Sequence, residues 1–383
     1  MRKKVVFISD IFTPYSTRSS TQLLIQSALY ALSKMDCDLF FIGIYDFMSD
    51  ESKIIDFLNS LGIEYLLVPS KINVEKNGKY KNVFLLLFET LFPKSVFDDK
   101  IKLPFVPDII ISSIPSVEAW CIGSVIKRKN IYSRFIAFWT DVMAFNYLDS
   151  SKHTPFSRLP YYYIEKRILK SANNSFFLGE CQCNFMKKAY QKYSNKMSYY
   201  YPSFYPFAKE QAVEHNQFTV LYFGNMNKKM RDVSSLCEAS NHLPYVEFFL
   251  EGTGDIQTSQ SNENLHYSVL IKKISDFDEA ISIESKADIS IVFLNKHGFS
   301  LPGKLFYYLH FKRATLVIKD GPYKDDIEKQ LSKFNCFYFC ENNSESIISA
   351  IKIIKEKYNS KAFNPSSFDP LLRYSFLINL KRD

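Results

Sequence analysis

The octapeptide His297-Gly-Phe-Ser-Leu-Pro-Gly-Lys304 holds the residues of this chain best placed to do chemistry. It follows an apolar run at 289–294, read as a buried strand, and opens a short helix leading to a second strand at 314–318. Gly298 and Gly303 permit a tight turn, and Pro302 is pre-set for a first helical turn. A helix start presents unpaired N–H groups and a partial positive charge, and Lys304 adds a full charge beside it. The chemistry these residues suit is the holding of an anion, a phosphate above all.

The longer run LPGKLFYYLHFKRATLV, residues 301–317, resembles the donor-binding segment of GT-B glycosyltransferases, family 4 in particular. Members of that family read Pro-Ser-Lys-Leu-Phe-Glu-Tyr-Leu, then small residues, Gly, Lys, Pro and a hydrophobic strand. Three positions depart from it. Tyr307 stands where the family has the Glu that holds the donor ribose, Lys312 where it has Gly, and Ala314 where it has Pro. His297 lies near the place of an earlier family Glu. Upstream, the strand ending at Gly224-Asn225 is similar to the turn that starts the family's donor domain. Arg231, seven positions on, fits its diphosphate-holding basic residue, and Glu251-Gly-Thr-Gly254 is similar to the next strand-end turn. The resemblance implies that Gly224, Asn225, Arg231, His297, Gly298, Phe299, Ser300, Leu301, Gly303, Lys304 and Tyr307 surround a nucleotide-diphosphate sugar. In open parallel sheets such a ligand sits at the carboxyl ends of the strands.

Sugar transfer needs stabilisation of the departing diphosphate, which a basic donor site supplies electrostatically. An inverting enzyme also needs a base for the acceptor hydroxyl. In the resembled family a His often precedes Asp at the end of the fifth strand; here the pair is Thr140-Asp141. Asp141 is therefore the first catalytic candidate and Asp10, at the end of the first strand, the second. The triplet Asp276-Phe-Asp278 spells a metal-binding Asp-x-Asp, but it sits just before a helix, where acids cap and pair with the dipole. No metal and no cofactor beyond the donor substrate are expected.

The elements that must position these residues alternate strand and helix, which argues for parallel sheets. Strands are expected at 4–8, 39–44, 63–68, 109–113, 134–139 and 175–178, with helices at 21–34 and 160–172. After a linker at 201–216, opening near Ser198, strands at 218–223, 246–250 and 265–270 and helices at 232–241 and 277–286 lead into the opening segment. The layout is α/β, with two doubly wound Rossmann-like domains facing each other across a cleft. Residues 1–200 would bind acceptor, 217–363 would bind donor, and a C-terminal helix at 364–383 would cross back to the first domain.

The chain has 383 residues, long enough for two cores. Its seven cysteines form no CxxC pair and their number is odd, which favours a reduced compartment over a disulfide framework. Arg2-Lys3-Lys4 precedes only a strand-length apolar run, and 83–92 is interrupted by Glu89, so neither a signal peptide nor a membrane span is expected. Residues 1–200 carry 26 Lys+Arg against 18 Asp+Glu, while 201–383 carry 22 of each. Most of the excess lies in 151–200, interleaved with Tyr161-Tyr-Tyr163 and Tyr199-Tyr-Tyr201, a pattern that suits lipid headgroups or a lipid-diphosphate acceptor. Nucleic acid is not expected, because no recognition motif accompanies the charge.

These features imply a cytoplasmic glycosyltransferase of surface-polysaccharide synthesis, retaining by resemblance. It would use a nucleotide sugar and a glycan or lipid-linked acceptor, with peripheral contact at an anionic inner membrane face. Thr140, Tyr307 and Lys312 favour instead a catalytically silent sugar-nucleotide-binding or partner subunit. A sugar-nucleotide epimerase on the same fold is a third reading, unsupported by any carboxylate cluster in the donor segment.

Overall fold

A computed structural model of the chain describes residues 2–10, 20–45, 51–70, 101–145, 155–203, 217–224, 226–252, 269–272, 277–311, 313–357 and 368–379. The chain divides into two compact units, Met1–Tyr205 with Asp369–Asp383, and Pro206–Phe368. In the first, β1 (Lys3–Asp10), β2 (Cys37–Tyr45), β3 (Glu64–Pro69), β4 (Ile109–Ile114), β5 (Arg134–Trp139), β6 (Asn174–Leu178) and β7 (Met197–Tyr200) form one sheet in the order β3-β2-β1-β4-β5-β6-β7. All of its pairs are parallel. The central strands are continuous apolar runs because helices cover both faces; Val5, Val6, Phe7, Ile8, Ile110 and Ile111 have no exposed surface.

The helices of this unit are α1 (Ser20–Lys34), α2 (Glu51–Ser60), α3 (Val117–Lys129), α4 (Pro155–Ser171) and α5 (Glu180–Ala189). Helix α4 begins five residues before its expected start, so Pro160 lies inside it. Strand β7 takes Ser198–Tyr200, expected at the mouth of the linker, into the sheet edge, where Tyr200 stacks on Phe138 at 4.8 Å. The rest of the expected linker, from 204 on, lies outside the described residues.

The second unit carries β8 (Phe218–Phe223), α6 (Ser234–Asn241), β9 (Val246–Glu251), β10 (Val269–Lys272), α7 (Phe277–Lys286), β11 (Ile289–Phe293), α8 (Lys304–Tyr307), β12 (Ala314–Lys319), α9 (Lys324–Leu331), β13 (Phe337–Glu341) and α10 (Ser344–Lys357). Its six strands are all parallel in the order β10-β9-β8-β11-β12-β13. The connection direction reverses between β8 and β11, and beyond the carboxyl ends of such a pair an open sheet leaves a crevice for ligand.

The chain's last described α-helix, α11 (Pro370–Tyr374), followed by a 3-10 turn at Ser375–Leu377, returns to the first unit and is much shorter than expected. Asp369 caps it by accepting from Leu371 N at 2.8 Å, and Pro370 occupies its first turn. The buried Tyr374 donates its hydroxyl to Ser203 O at 3.0 Å, and Phe376 lies 4.4 Å from the Phe176 ring centre.

Candidate functional site

The reversal between β8 and β11 places two cations. Strand β8 ends at Phe223-Gly224, and Gly224 N donates to Glu251 O at the end of β9 at 2.8 Å. Gly252 packs so closely that a Cβ there would lie 1.6 Å from Gly224 O, so no larger residue fits without moving the backbone. Lys304 reaches back from α8 to donate Nζ to Phe223 O at 2.8 Å, and the ammonium lies 3.4 Å from the Phe223 ring centre. Arg231 sits at the end of the neighbouring strand, where Nε donates to Asn295 Oδ1 at 3.0 Å. Arg231 also pairs with the Tyr222 hydroxyl, whose pKa burial pushes up while the guanidinium pulls it down. Lys304 and Arg231 are both half-buried, and β8 and β11 are hydrogen-bonded neighbours.

Asn295, which sequence reasoning did not single out, organises this edge. It is 6 % exposed, holds Arg231 with one side-chain atom, and donates from the other to Ser300 O at 3.3 Å. Its only sequence signal is a polar residue closing the apolar run at 289–294. The loop that follows is anchored by Phe299, edge-on to Tyr323 at 5.7 Å, and by buried Leu301. Gly298 has φ 84°, the left-handed region. His297 is exposed on the loop.

Two features differ from the sequence reading. Helix α8 is one turn that tightens into a 3-10 segment at Tyr308–Phe311, with Gly303 at its start, so its dipole is slight and the charge must come from side chains. Tyr307 is buried, and its hydroxyl donates to Glu284 Oε2 of α7 at 2.8 Å. Asn225, Lys312, Gly254 and Asp276 lie outside the described residues, as does the side chain of Asp278.

The other candidates lie at the carboxyl edge of the first sheet. Asp10 ends β1, bonds the Ser116 side chain and lies near Glu118; burial pushes its carboxyl up to about 6. Ser116 caps α3 by accepting from Ala119 N at 3.1 Å, and the buried Glu118 accepts from Ser70 Oγ at 2.7 Å. Asp10, Ser116 and Glu118 thus gather at the ends of β1 and β4, a carboxyl pair that sequence reasoning missed.

The next strand over, β5, leads to Asp141. Asp141 accepts from Val142 N at 2.8 Å, while Thr140 donates Oγ1 to Ile114 O at 2.9 Å and braces the ends of β5 and β4. The loop beyond is held by Glu165 of α4. Its buried carboxylate accepts from Met143 N at 2.6 Å, from Ala144 N at 3.1 Å and from the Tyr190 hydroxyl. Burial pushes the Glu165 carboxyl up to about 7.

No family profile matches the chain, and no curated protein matches its sequence. Solved structures do match its fold across nearly its full length. Anabaena Alr3699/HepE in complex with UDP and glucose superposes with TM-score 0.59 at 11 % identity, covering 98 % of each chain. UDP-GlcNAc 2-epimerase from Neisseria meningitidis bound to UDP-GlcNAc gives 0.57 at 12 %, again with 98 % of each. The apo lipopolysaccharide outer core galactosyltransferase WaaB gives 0.56 at 12 %, with 98 % of this chain and 99 % of its own length. The chain has the GT-B fold. Glycosyltransferases and UDP-GlcNAc 2-epimerases both stand among its structural neighbours, so the GT-B fold does not choose between them.

Elsewhere in this GT-B chain, α4 turns Leu159, Tyr162, Tyr163, Lys166 and Lys170 outward, so part of the basic and aromatic set of 151–200 shares an exposed helix face, while Lys187, Lys188, Lys192, Lys196, Tyr199 and Tyr200 lie on other elements. Among the described residues no helix is long and apolar enough to cross a membrane.

Proposed function

We propose that the chain is a glycosyltransferase that moves a sugar from a nucleotide-diphosphate donor to a glycan or lipid-linked acceptor in surface-polysaccharide assembly, with retention. The observation that supports it most is the pair Lys304 and Arg231 fixed over adjacent strand ends at the reversal of the second sheet. Two cations held by a carbonyl and an amide keep their charge and have their geometry set in advance, as a departing diphosphate requires. With charge supplied this way the reading needs no metal. His297 and the loop N–H groups around Gly298 would meet the donor phosphates or sugar. In the first unit Asp141 or Asp10 would face the acceptor hydroxyl, and the exposed basic face of α4 suits an anionic acceptor.

Two other readings have an observation each. Thr140 serves as a strut and Tyr307 is engaged by Glu284, which favours a silent binding subunit. The Asp10 and Glu118 carboxyls favour an epimerase, where one acid removes a proton and another returns it. A thermal-shift screen of nucleoside diphosphates and nucleotide sugars on the wild type, Arg231→Ala and Lys304→Ala tests the core of the proposal. A ligand at about a hundred times its Kd adds about 2.7 kcal/mol, an evident rise in Tm. A rise with one nucleotide that is lost in both variants supports the donor site; no rise with any nucleotide refutes it. Donor hydrolysis then separates transferase from silent subunit, and a change of sugar configuration marks the epimerase.

A further inference from the structure

The amino-terminal edge of the first sheet, opposite the edge that carries Asp10 and Asp141, has a composition that the donor reading does not use. From the last turn of α3 to the first residue of β5 runs Lys127-Arg-Lys-Asn-Ile-Tyr-Ser-Arg134. At its tip Ile131 is 65 % and Tyr132 97 % exposed, and Val106 beside them is 70 % exposed. These residues line an open groove of about 1110 Å³ with Arg2 and Lys3.

The turn is held in this shape. Lys127 Nζ donates to Ile131 O at 2.6 Å and to Ser133 O at 2.5 Å, Ser133 Oγ to Pro107 O at 2.5 Å, and Ser133 N to Asn130 O at 3.0 Å. Carbonyl partners leave the ammonium charge uncancelled. Arg134 donates Nε to Asn174 Oδ1 at 2.8 Å. Arg2 is offset by Asp36 and Asp38, and among the described residues Asp108 is the one acid on the groove wall. Basic residues in a helix's last turn complement its dipole, which accounts for Lys127, Arg128 and Lys129. The dipole does not account for an aliphatic and an aromatic side chain presented to solvent between them.

We propose that this rim docks on an anionic lipid surface, with Ile131 and Tyr132 entering the interface and Lys127, Arg128, Lys129 and Arg134 lying among the headgroups. The charges match in sign, and an apolar tip beside an amphipathic ring suits the boundary between headgroups and chains. Nucleic acid fits less well, because Tyr132 alone at this tip offers a face on which a base stacks, while Ile131 and Val106 beside it offer none. The proposal stands apart from the nucleotide reading and survives its failure.

Cosedimentation of the full chain tests it, using vesicles of phosphatidylcholine alone and vesicles with about one-third phosphatidylglycerol. Binding is expected only with the anionic vesicles, and salt should weaken it. Arg128→Ser and Lys129→Ser should each lower partitioning about fivefold, the equivalent of about 1 kcal/mol per basic residue. Ile131→Ser with Tyr132→Ser should lower it tenfold or more with Tm unchanged, since both side chains are exposed. A Tyr132→Trp variant reports insertion, because Trp120 and Trp139 are both buried and add a constant background. Its emission should shift to the blue with anionic vesicles only.

Three results would overturn the proposal. One is absence of binding to anionic vesicles, whether or not the chain binds polyuridylate. Another is binding that the turn variants leave intact while Leu159→Ser with Tyr163→Ser on α4 abolishes it. The third is cosedimentation with no change in the emission of Tyr132→Trp.

Discussion

Glu165 shows how a single buried group can be read as a pH-dependent force. It has no exposed surface, and two backbone amides and a phenol converge on its carboxylate. Burial nevertheless pushes its carboxyl up to about 7, and Asp141 adds to the push. The folded chain therefore holds this proton more tightly than the unfolded chain does. The group's contribution is complete below the ordinary value of 4.5 and is lost as pH rises toward about 7. That interval corresponds to about 3 kcal/mol. Urea unfolding across it should show wild-type stability falling relative to Glu165→Gln, which keeps an acceptor for the amides and has no proton to lose; parallel curves would refute the assignment. Asp10 makes a second test. With its carboxyl near 6, a base at this position should lose activity below that pH, and Asp10→Asn should lower turnover about a hundredfold or more with nucleotide affinity kept. Lys304, Arg231 and Gly298 could be singled out as candidates from the sequence because cations and glycines draw attention by type alone. Asn295 was not, because its partner Arg231 is 64 positions away and only folding joins them.

At the scale of elements, the candidate site is two strand ends and a loop pinned by small contacts. Asn295 ties β11 to Arg231 and to the loop carbonyl at Ser300, so it orients charge as well as chain. Asn295→Ala should weaken nucleoside-diphosphate binding about tenfold. Asn295→Asp should weaken it further, because the new carboxylate competes for Arg231; a residue that served packing alone would show the reverse order. Titration calorimetry of both variants decides. Gly252→Ala is expected to cost about 2–4 kcal/mol, seen as a lower Tm, since its methyl would occupy the place of Gly224 O. Apart from β7 and β13, the strands were legible as apolar runs bounded by polar turns. Helices α2, α3, α5, α9 and α10 were not, and α3 shows why: the seven residues Val117–Gly123 that begin it are all buried, so it has no polar face there to reveal a period of 3.6. Strand β7 was taken for linker because it is four residues long at a sheet edge, with Ser198 and Tyr199 exposed. The C-terminal helix was overestimated because spaced apolar residues at 368–377 serve a five-residue helix and a 3-10 turn that dock on aromatic rings.

On the scale of the whole molecule, two units each have a parallel sheet and a core, and the candidate groups lie at the carboxyl edges of both sheets. Hydrogen exchange should reflect this division of labour: a nucleoside diphosphate is expected to protect amides at 222–232 and 294–304. Protection confined to the first unit would contradict the donor assignment. The charge excess of residues 1–200 has a structural address as well, since part of it gathers on the rim at Lys127–Arg134 and part on α4. The strands of the first sheet separate that rim from Asp10 and Asp141. Strand β5 takes six residues to run from Arg134 to Trp139, a rise of about 20 Å at about 3.3 Å each. With lipid at one end of it, this strand is a measuring rod. It would hold the chemistry several sugar lengths above the bilayer, and an acceptor whose growing end lies close to its lipid anchor would be out of reach.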